Sequence, residues 1–133
     1  GDYGTLDHIY GTLGKAYYLT ALENCRKITG SKRVLVFSDD VSAAERMLGE
    51  IQFQSFDFQF ISSEFSPAES ILLMSYCSAH IVANSTFSWW AGYLNPKEIN
   101  VFPQKWFVSN KIAFSPELFF PDSPILIDYE LLR

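Results

Sequence analysis

Short apolar runs alternate with helix-patterned stretches from Gly30 to Pro103, and this alternation restricts the possible folds more than any other feature. Val34-Leu35-Val36-Phe37, Phe58-Gln59-Phe60-Ile61, His80-Ile81-Val82-Ala83 and Ile99-Asn100-Val101-Phe102 have the length and composition of strands buried in a sheet. Between them lie three helical patterns. Residues 41–50 form the first. Ser66-Pro67-Ala68-Glu69 launches the second, a capping box with Pro at the first helical position, which runs through Ile71, Leu72, Leu73, Met74 and Cys77. The third carries Phe87, Trp89, Trp90 and Leu94 and stops at Asn95-Pro96. A further helix is expected over 13–29, with Ala16, Leu19, Leu22 and Ile28 in its apolar rhythm and Gly30 as its stop. The order β-α-β-α-β-α-β predicts an α/β fold, a Rossmann-like parallel sheet flanked by helices with right-handed crossovers. Residues 1–107 are read as the main domain. Residues 108–133, interrupted by Pro116, Pro121 and Pro124, are read as a tail packed on it, with Ile125-Leu126-Ile127 as one more strand.

The 133 residues suit one domain, and with 48% hydrophobic and 17% aromatic residues they can fill a core. A net charge of −5 repels phosphate backbones, so nucleic acid is not an expected partner. A small anion remains compatible, because oriented backbone N–H groups can outweigh the global charge locally. Cys25 and Cys77 have neither disulfide-framework nor metal-ligand spacing, and both are expected as reduced, buried thiols. No apolar run reaches the roughly 20 residues that cross a bilayer. Walker, G-x-G-x-x-G, zinc and nucleophile-elbow patterns are absent.

Parallel α/β sheets bind ligands beyond the carboxyl ends of their strands, which directs attention to Ser38-Asp39-Asp40 and Asn84-Ser85-Thr86. For the acid pair, one reading has Asp40 capping the next helix and Asp39 in a turn; the other has a carboxylate that contacts a ligand. Asn84-Ser85-Thr86 stands where a strand turns into a helix. Free N–H groups and the positive helix end there favour an anion, and the Ser85 and Thr86 hydroxyls can add bonds to a diphosphate. An ordinary N-cap fits the same residues. Trp89 and Trp90 are expected in the core rather than as a ligand platform. His80 is expected to be a hydrogen-bonded structural histidine, and His8 lies in a loop within possible reach of a ligand.

Residue by residue, the chain resembles the α-1,2-fucosyltransferases of glycosyltransferase family 11. Gly1-Asp2-Tyr3 looks like the end of their His-Val-Arg-Arg-Gly-Asp-Tyr motif, and Ala16-Tyr17-Tyr18 through Ala21 resembles the helix that follows. Val36-Phe37-Ser38-Asp39-Asp40 is similar to the second motif. Leu73-Met74-Ser75, Cys77 and His80 fit the next block. Ala83-Asn84-Ser85-Thr86-Phe87-Ser88-Trp89-Trp90-Ala91 resembles the most recognisable motif almost letter for letter, and Pro103 and Trp106-Phe107 match the segment after it.

The resemblance implies the C-terminal, donor-binding half of a GT-B-type enzyme. It implies inverting, metal-independent transfer of L-fucose from GDP-fucose to the 2-hydroxyl of a terminal galactoside, with no cofactor. In that picture Ser85, Thr86 and the Phe87 backbone face the pyrophosphate, Asp39 and Asp40 shape the donor pocket, and Asp2 holds the loop that carries the arginines. Asp2 is the one catalytic candidate, and no catalytic base is identified. Where the family has an Asp that reads guanine, this chain has Ser70, with Glu69 beside it; both are candidates for the base. The expected partners are GDP-fucose, a galactose-terminated acceptor glycan, the N-terminal half of the same protein, and a membrane surface reached through lipid-linked or surface glycans. The expected place is the cytoplasm at the inner face of a bacterial membrane, or the Golgi membrane in a eukaryote. The chain starts without Met inside a motif, so it is expected to be a piece of a longer protein and inactive alone. A non-catalytic or degenerate nucleotide-sugar-binding fragment stands as the alternative. A phospho-acceptor receiver domain is set aside because Phe58–Ile61 ends in Ser62-Ser63-Glu64, with no acceptor Asp.

Overall fold

The computed structural model describes residues 13–49, 55–61, 64–96, 98–107, 119–120 and 123–132. The expectations for Asp2 and His8 lie outside these. The elements run α1 (Lys15–Thr29), β1 (Arg33–Val36), α2 (Val41–Gly49), β2 (Asp57–Phe60), α3 (Pro67–Ser75), β3 (Ala79–Ile81), α4 (Thr86–Leu94), β4 (Ile99–Pro103), β5 (Ile125–Ile127) and a 3₁₀ turn at Tyr129–Leu132. This is the alternating α/β order that the apolar runs predict. Every strand pair is parallel: β1 pairs with β2, β3 with β4, and β4 with β5. The hydrogen-bonded ladders form a two-stranded and a three-stranded sheet rather than one continuous sheet.

Helix α1 joins the two sheets. Leu13, Tyr17 and Ala21 pack with Val101, Ile127 and Tyr129, while Leu22 packs with Leu48, Phe56 and the residues of β1 and β2. The buried face of α1 is therefore Tyr17, Ala21 and Leu22. Of the expected rhythm, Leu22 is buried, whereas Leu19 and Ile28 are exposed. Aromatic Tyr17 and Tyr18 supply the inward area instead. Gly30, in the left-handed region at φ 72°, ends the helix by donating its N–H to the Arg26 carbonyl.

The two-residue alternation of strands divides the β3–β4 faces. Ile81 and Val101 turn to the α1 side, whereas Val82 and Phe102 pack with Trp89, Trp106 and Phe120 on the other. Helices α3 and α4 pack against each other. Gly92 lets α4 approach β4 closely: a Cβ there would lie 2.7 Å from Asn100 Oδ1 and 3.2 Å from the Phe102 ring. Among the described residues, no helix is long and apolar enough to cross a membrane.

Candidate functional site at the carboxyl ends of the strands

Val36, Phe60 and Ile81 are the last residues of β1, β2 and β3, and all three belong to one hydrophobic cluster. The segments that follow these strands carry the residues singled out in the sequence: Ser38–Asp40 after β1, Ser66–Ser70 after β2, and Asn84–Phe87 after β3.

The first segment is closed on itself. Ser38 Oγ accepts from the Asp40 N–H at 3.1 Å and donates to the Asp40 carbonyl at 3.0 Å. Asp40 Oδ1 accepts from the Ala43 N–H at 2.9 Å. Asp40 thus caps α2, the first of its two readings, and both carboxylates of the pair are exposed.

The second segment is closed as well. Ser66 Oγ accepts from the Glu69 N–H, and Glu69 Oε2 accepts from the Ser66 N–H at 2.8 Å and from its hydroxyl at 2.6 Å. These bonds to Ser66 hold the Glu69 carboxyl below its ordinary value of 4.5. For Glu69 to reach a nucleotide base, the capping box has to open. Ser70, half-buried in the same turn, donates its N–H to the Ser66 carbonyl.

The third segment differs. Ser85 is the N-cap of α4, but its side chain makes no capping bond. The first turn begins with the Trp89 N–H donating to the Ser85 carbonyl at 3.0 Å. The N–H groups of Thr86, Phe87 and Ser88 precede that bond and have no acceptor within the helix. Ser88 Oγ turns to the Ser85 carbonyl at 3.1 Å, and the Ser85 N–H is taken by the Ala83 carbonyl at 2.7 Å. Thr86 and Phe87 are exposed, Ser85 is half-buried and Asn84 is buried. The corner is held from beneath: Tyr17 Oη donates to the Val82 carbonyl at 2.6 Å, and the Val82 N–H donates to the Val101 carbonyl at 2.9 Å. Burial raises the Tyr17 pKa well above its ordinary value, which keeps this hydroxyl a donor.

Trp89 is part-buried, stacks on Tyr93 with ring centroids 4.8 Å apart, and donates from Nε1 to the Phe119 carbonyl at 2.7 Å. Trp90 is 45% exposed, against the expectation that both indoles lie in the core. Adjacent residues on a helix point about 100° apart, and here Trp89 is the one that turns toward Phe119. Lys105, after β4, pairs with Glu130. Cys25 and Cys77 are free and half-buried, and burial pushes the Cys25 thiol up to about 11. Among the described residues, no group of three or more His, Cys, Asp or Glu side chains could hold a metal ion.

His80 lies away from this corner, near the start of β3, in a polar network that the sequence reading did not assemble. It bonds the Met74 carbonyl and Asn100, and Asn95 Nδ2 donates to the Ser75 carbonyl at 2.8 Å. The available signal was Asn100 itself, a polar residue inside the apolar run Ile99–Phe102.

Comparison with known proteins agrees with the motif resemblance. Residues 1–119 match the profile of glycosyl transferase family 11. The chain is 39% identical over 115 residues to the O-antigen biosynthesis glycosyltransferase WbnK of Escherichia coli, covering 83% of this chain and 37% of that protein. It is 31% identical over 111 residues to an α-1,2-colitosyltransferase of Escherichia coli, covering 81% and 38%. The chain therefore spans under two-fifths of the length of these relatives. No solved structure matches. With most of its length inside the family profile, and the Asn-Ser-Thr corner within the match, the chain belongs to glycosyl transferase family 11.

Proposed function

We propose that this chain forms the nucleotide-sugar-binding part of a transferase that moves L-fucose from GDP-fucose to the 2-hydroxyl of a terminal galactoside. The observation that carries the reading is the open start of α4. It follows a strand, its N-cap serine leaves the helix uncapped, and Ser85 and Thr86 stand beside N–H groups with no helical acceptor. A diphosphate placed there receives those N–H groups and the two hydroxyls. As the glycosidic bond breaks, negative charge grows on the leaving diphosphate, so donors already aimed at it favour the transition state over the ground state. Asp39, on the exposed side of the Ser38–Asp40 turn, borders the donor, while Asp40 fixes that turn. Ser70 faces the base directly or through water, because Glu69 is engaged with Ser66. The inverting, metal-independent course and the galactoside acceptor come from the family resemblance, as do the need for an N-terminal half and a location at a membrane surface.

The colitosyltransferase relative bears on the donor sugar: its name gives the same α-1,2 linkage with colitose in place of fucose. Transfer assays with both nucleotide sugars on the intact protein decide between them. Calorimetric titration of GDP tests the corner. Replacing both Ser85 and Thr86 by Ala should weaken GDP about tenfold, roughly 1.4 kcal/mol, with thermal stability retained. An unchanged dissociation constant removes these residues from the site. Binding of GDP-fucose without transfer by the intact protein would favour the non-catalytic alternative.

A further inference from the structure

Helix α4 carries no charged side chain. Its exposed residues are Thr86, Phe87, Trp90, Tyr93 and Leu94, an apolar and largely aromatic arc on the side where a surface helix normally turns charged and polar groups to water. Phe87 stands at the front of that arc, 37% exposed. Among the described residues it joins none of the three core clusters and pairs with no other ring. Trp90, three residues on, is its neighbour on the same face. That indole is braced from the side. Its ring centroid lies 5.0 Å from that of Trp89 and 5.5 Å from that of Tyr93, nearly perpendicular to both, and Trp89 is anchored in turn by its bond to the Phe119 carbonyl. Helical side chains lean toward the N-terminus, so Trp90 covers the turn of Thr86 and Phe87. The two side chains flank the open start of α4 without filling the core.

We infer that Phe87, with Trp90 beside it, is the apolar wall that receives the C5 methyl of the transferred sugar and selects 6-deoxyhexoses over hexoses. The inference rests on the donor reading above and adds how the sugar is told from its hydroxylated counterpart. Phe87 is one of the three residues whose N–H groups that reading gives to the diphosphate, so its side chain borders whatever the diphosphate carries. L-Fucose and colitose, the two donor sugars weighed above, differ at C3 and share a methyl on C5. An ordinary hexose has a hydroxymethyl there.

The chemistry separates the two groups. A methyl pressed against an aromatic ring leaves water without giving up a hydrogen bond. A hydroxyl in the same place loses its water, and the Phe87 ring has neither donor nor acceptor to replace it. A charged side chain at that place would do the reverse and hold the hydroxyl, and α4 has none. Tyr93 and Leu94 continue the arc but recede from the diphosphate by about 1.5 Å per residue, which leaves Phe87 and Trp90 as the rings beside the sugar.

The test is calorimetric titration of the intact protein with GDP-L-fucose and with GDP-L-galactose, which differ only in that hydroxyl. The readout is the ratio of the two dissociation constants, because a general loss of nucleotide binding leaves the ratio alone. Wild type should favour GDP-L-fucose about tenfold. Phe87→Ala should bring the ratio to within about twofold of one, whereas Phe87→Leu, which keeps an apolar side chain there, should hold most of the preference. Trp90→Ala should lower the ratio by a smaller factor. Leu94→Ala, on the same exposed arc but farther along, should leave it unchanged. No preference in wild type, a ratio that Phe87→Ala leaves intact, or an equal shift from Leu94→Ala would each overturn the inference. Equal weakening of GDP and both sugars by Phe87→Ala would assign the ring to the nucleotide instead. Failure of the donor reading looks different, and takes this inference with it: GDP itself then does not bind, or binds as tightly once Ser85 and Thr86 are replaced.

Discussion

Helices α3 and α4 lie side by side, each follows a strand and each begins with a serine, yet one start is closed and the other open. Ser66 has Glu69 three residues on, and the two side chains satisfy each other's backbone N–H groups. Ser85 has Ser88 at the equivalent place. A serine is too short to reach back to the N-cap amide; its hydroxyl turns to the Ser85 carbonyl, and the Ser85 N–H is already spent on Ala83. A helix start that caps itself has little left for a ligand, and one that does not keeps oriented donors for an anion. The difference lies in what the N-cap serine and the side chain three residues on do with their polar atoms.

The contrast requires that the pair be held rigidly elsewhere, and the strongest way to break it is at the far end. Asn100→Ala removes the partner of His80 and of two carbonyls in a region 3% exposed, and should cost about 3 kcal/mol in chemical denaturation, from unsatisfied buried polar groups. A loss under ~1 kcal/mol would show that the network does not hold the pair. Next, Gly92→Ala sets a Cβ against Asn100 Oδ1 and Phe102, and should cost about 2 kcal/mol through overpacking. Equal stability to wild type would mean that α4 has room to move.

Smaller, and aimed at the comparison itself, is the pair Ser66→Ala and Ser85→Ala. The first should lose about 1 kcal/mol, as a side-chain cap does, and the second within ~0.5 kcal/mol of nothing. Equal losses in thermal or urea unfolding would mean that Ser85 caps α4 after all. The smallest effect is acid sensitivity. Bonds to Ser66 lower the Glu69 pKa, so its contribution is present above the ordinary 4.5 and is lost as pH falls through the folded value. Glu69→Gln should remove a small part of the stability loss seen between about pH 6 and pH 3; an unaltered acid limb would argue against the capping box in solution.

Much of this was legible in the residues. The strand and helix order followed from apolar runs and stop signals, and the capping box at Ser66–Glu69 from its spacing. The Asn84–Thr86 corner stood out as polar residues at a strand-to-helix junction, though the sequence alone could not separate an ordinary cap from an open one. That depends on where the Ser85 and Ser88 hydroxyls turn. In helix α1 the apolar rhythm holds at Leu22 but also takes in the exposed Leu19 and Ile28, while Tyr17, whose hydroxyl reaches across to the Val82 carbonyl, lies inside. Trp90 was placed inside because bulk and hydrophobicity do not reveal which of two neighbouring indoles faces out. The His80–Asn100 contact joins residues twenty apart across two parallel strands, a pairing that local periodicity does not encode.

The most direct measurement is a titration of the ¹⁵N-labelled protein with GDP, following backbone amide shifts. The Thr86, Phe87 and Ser88 amides should move first and furthest, with those of the capped α3 start, Ala68 and Glu69, shifting far less. Saturable GDP binding that leaves the α4 start still and perturbs other amides would contradict the assignment of this corner to the diphosphate.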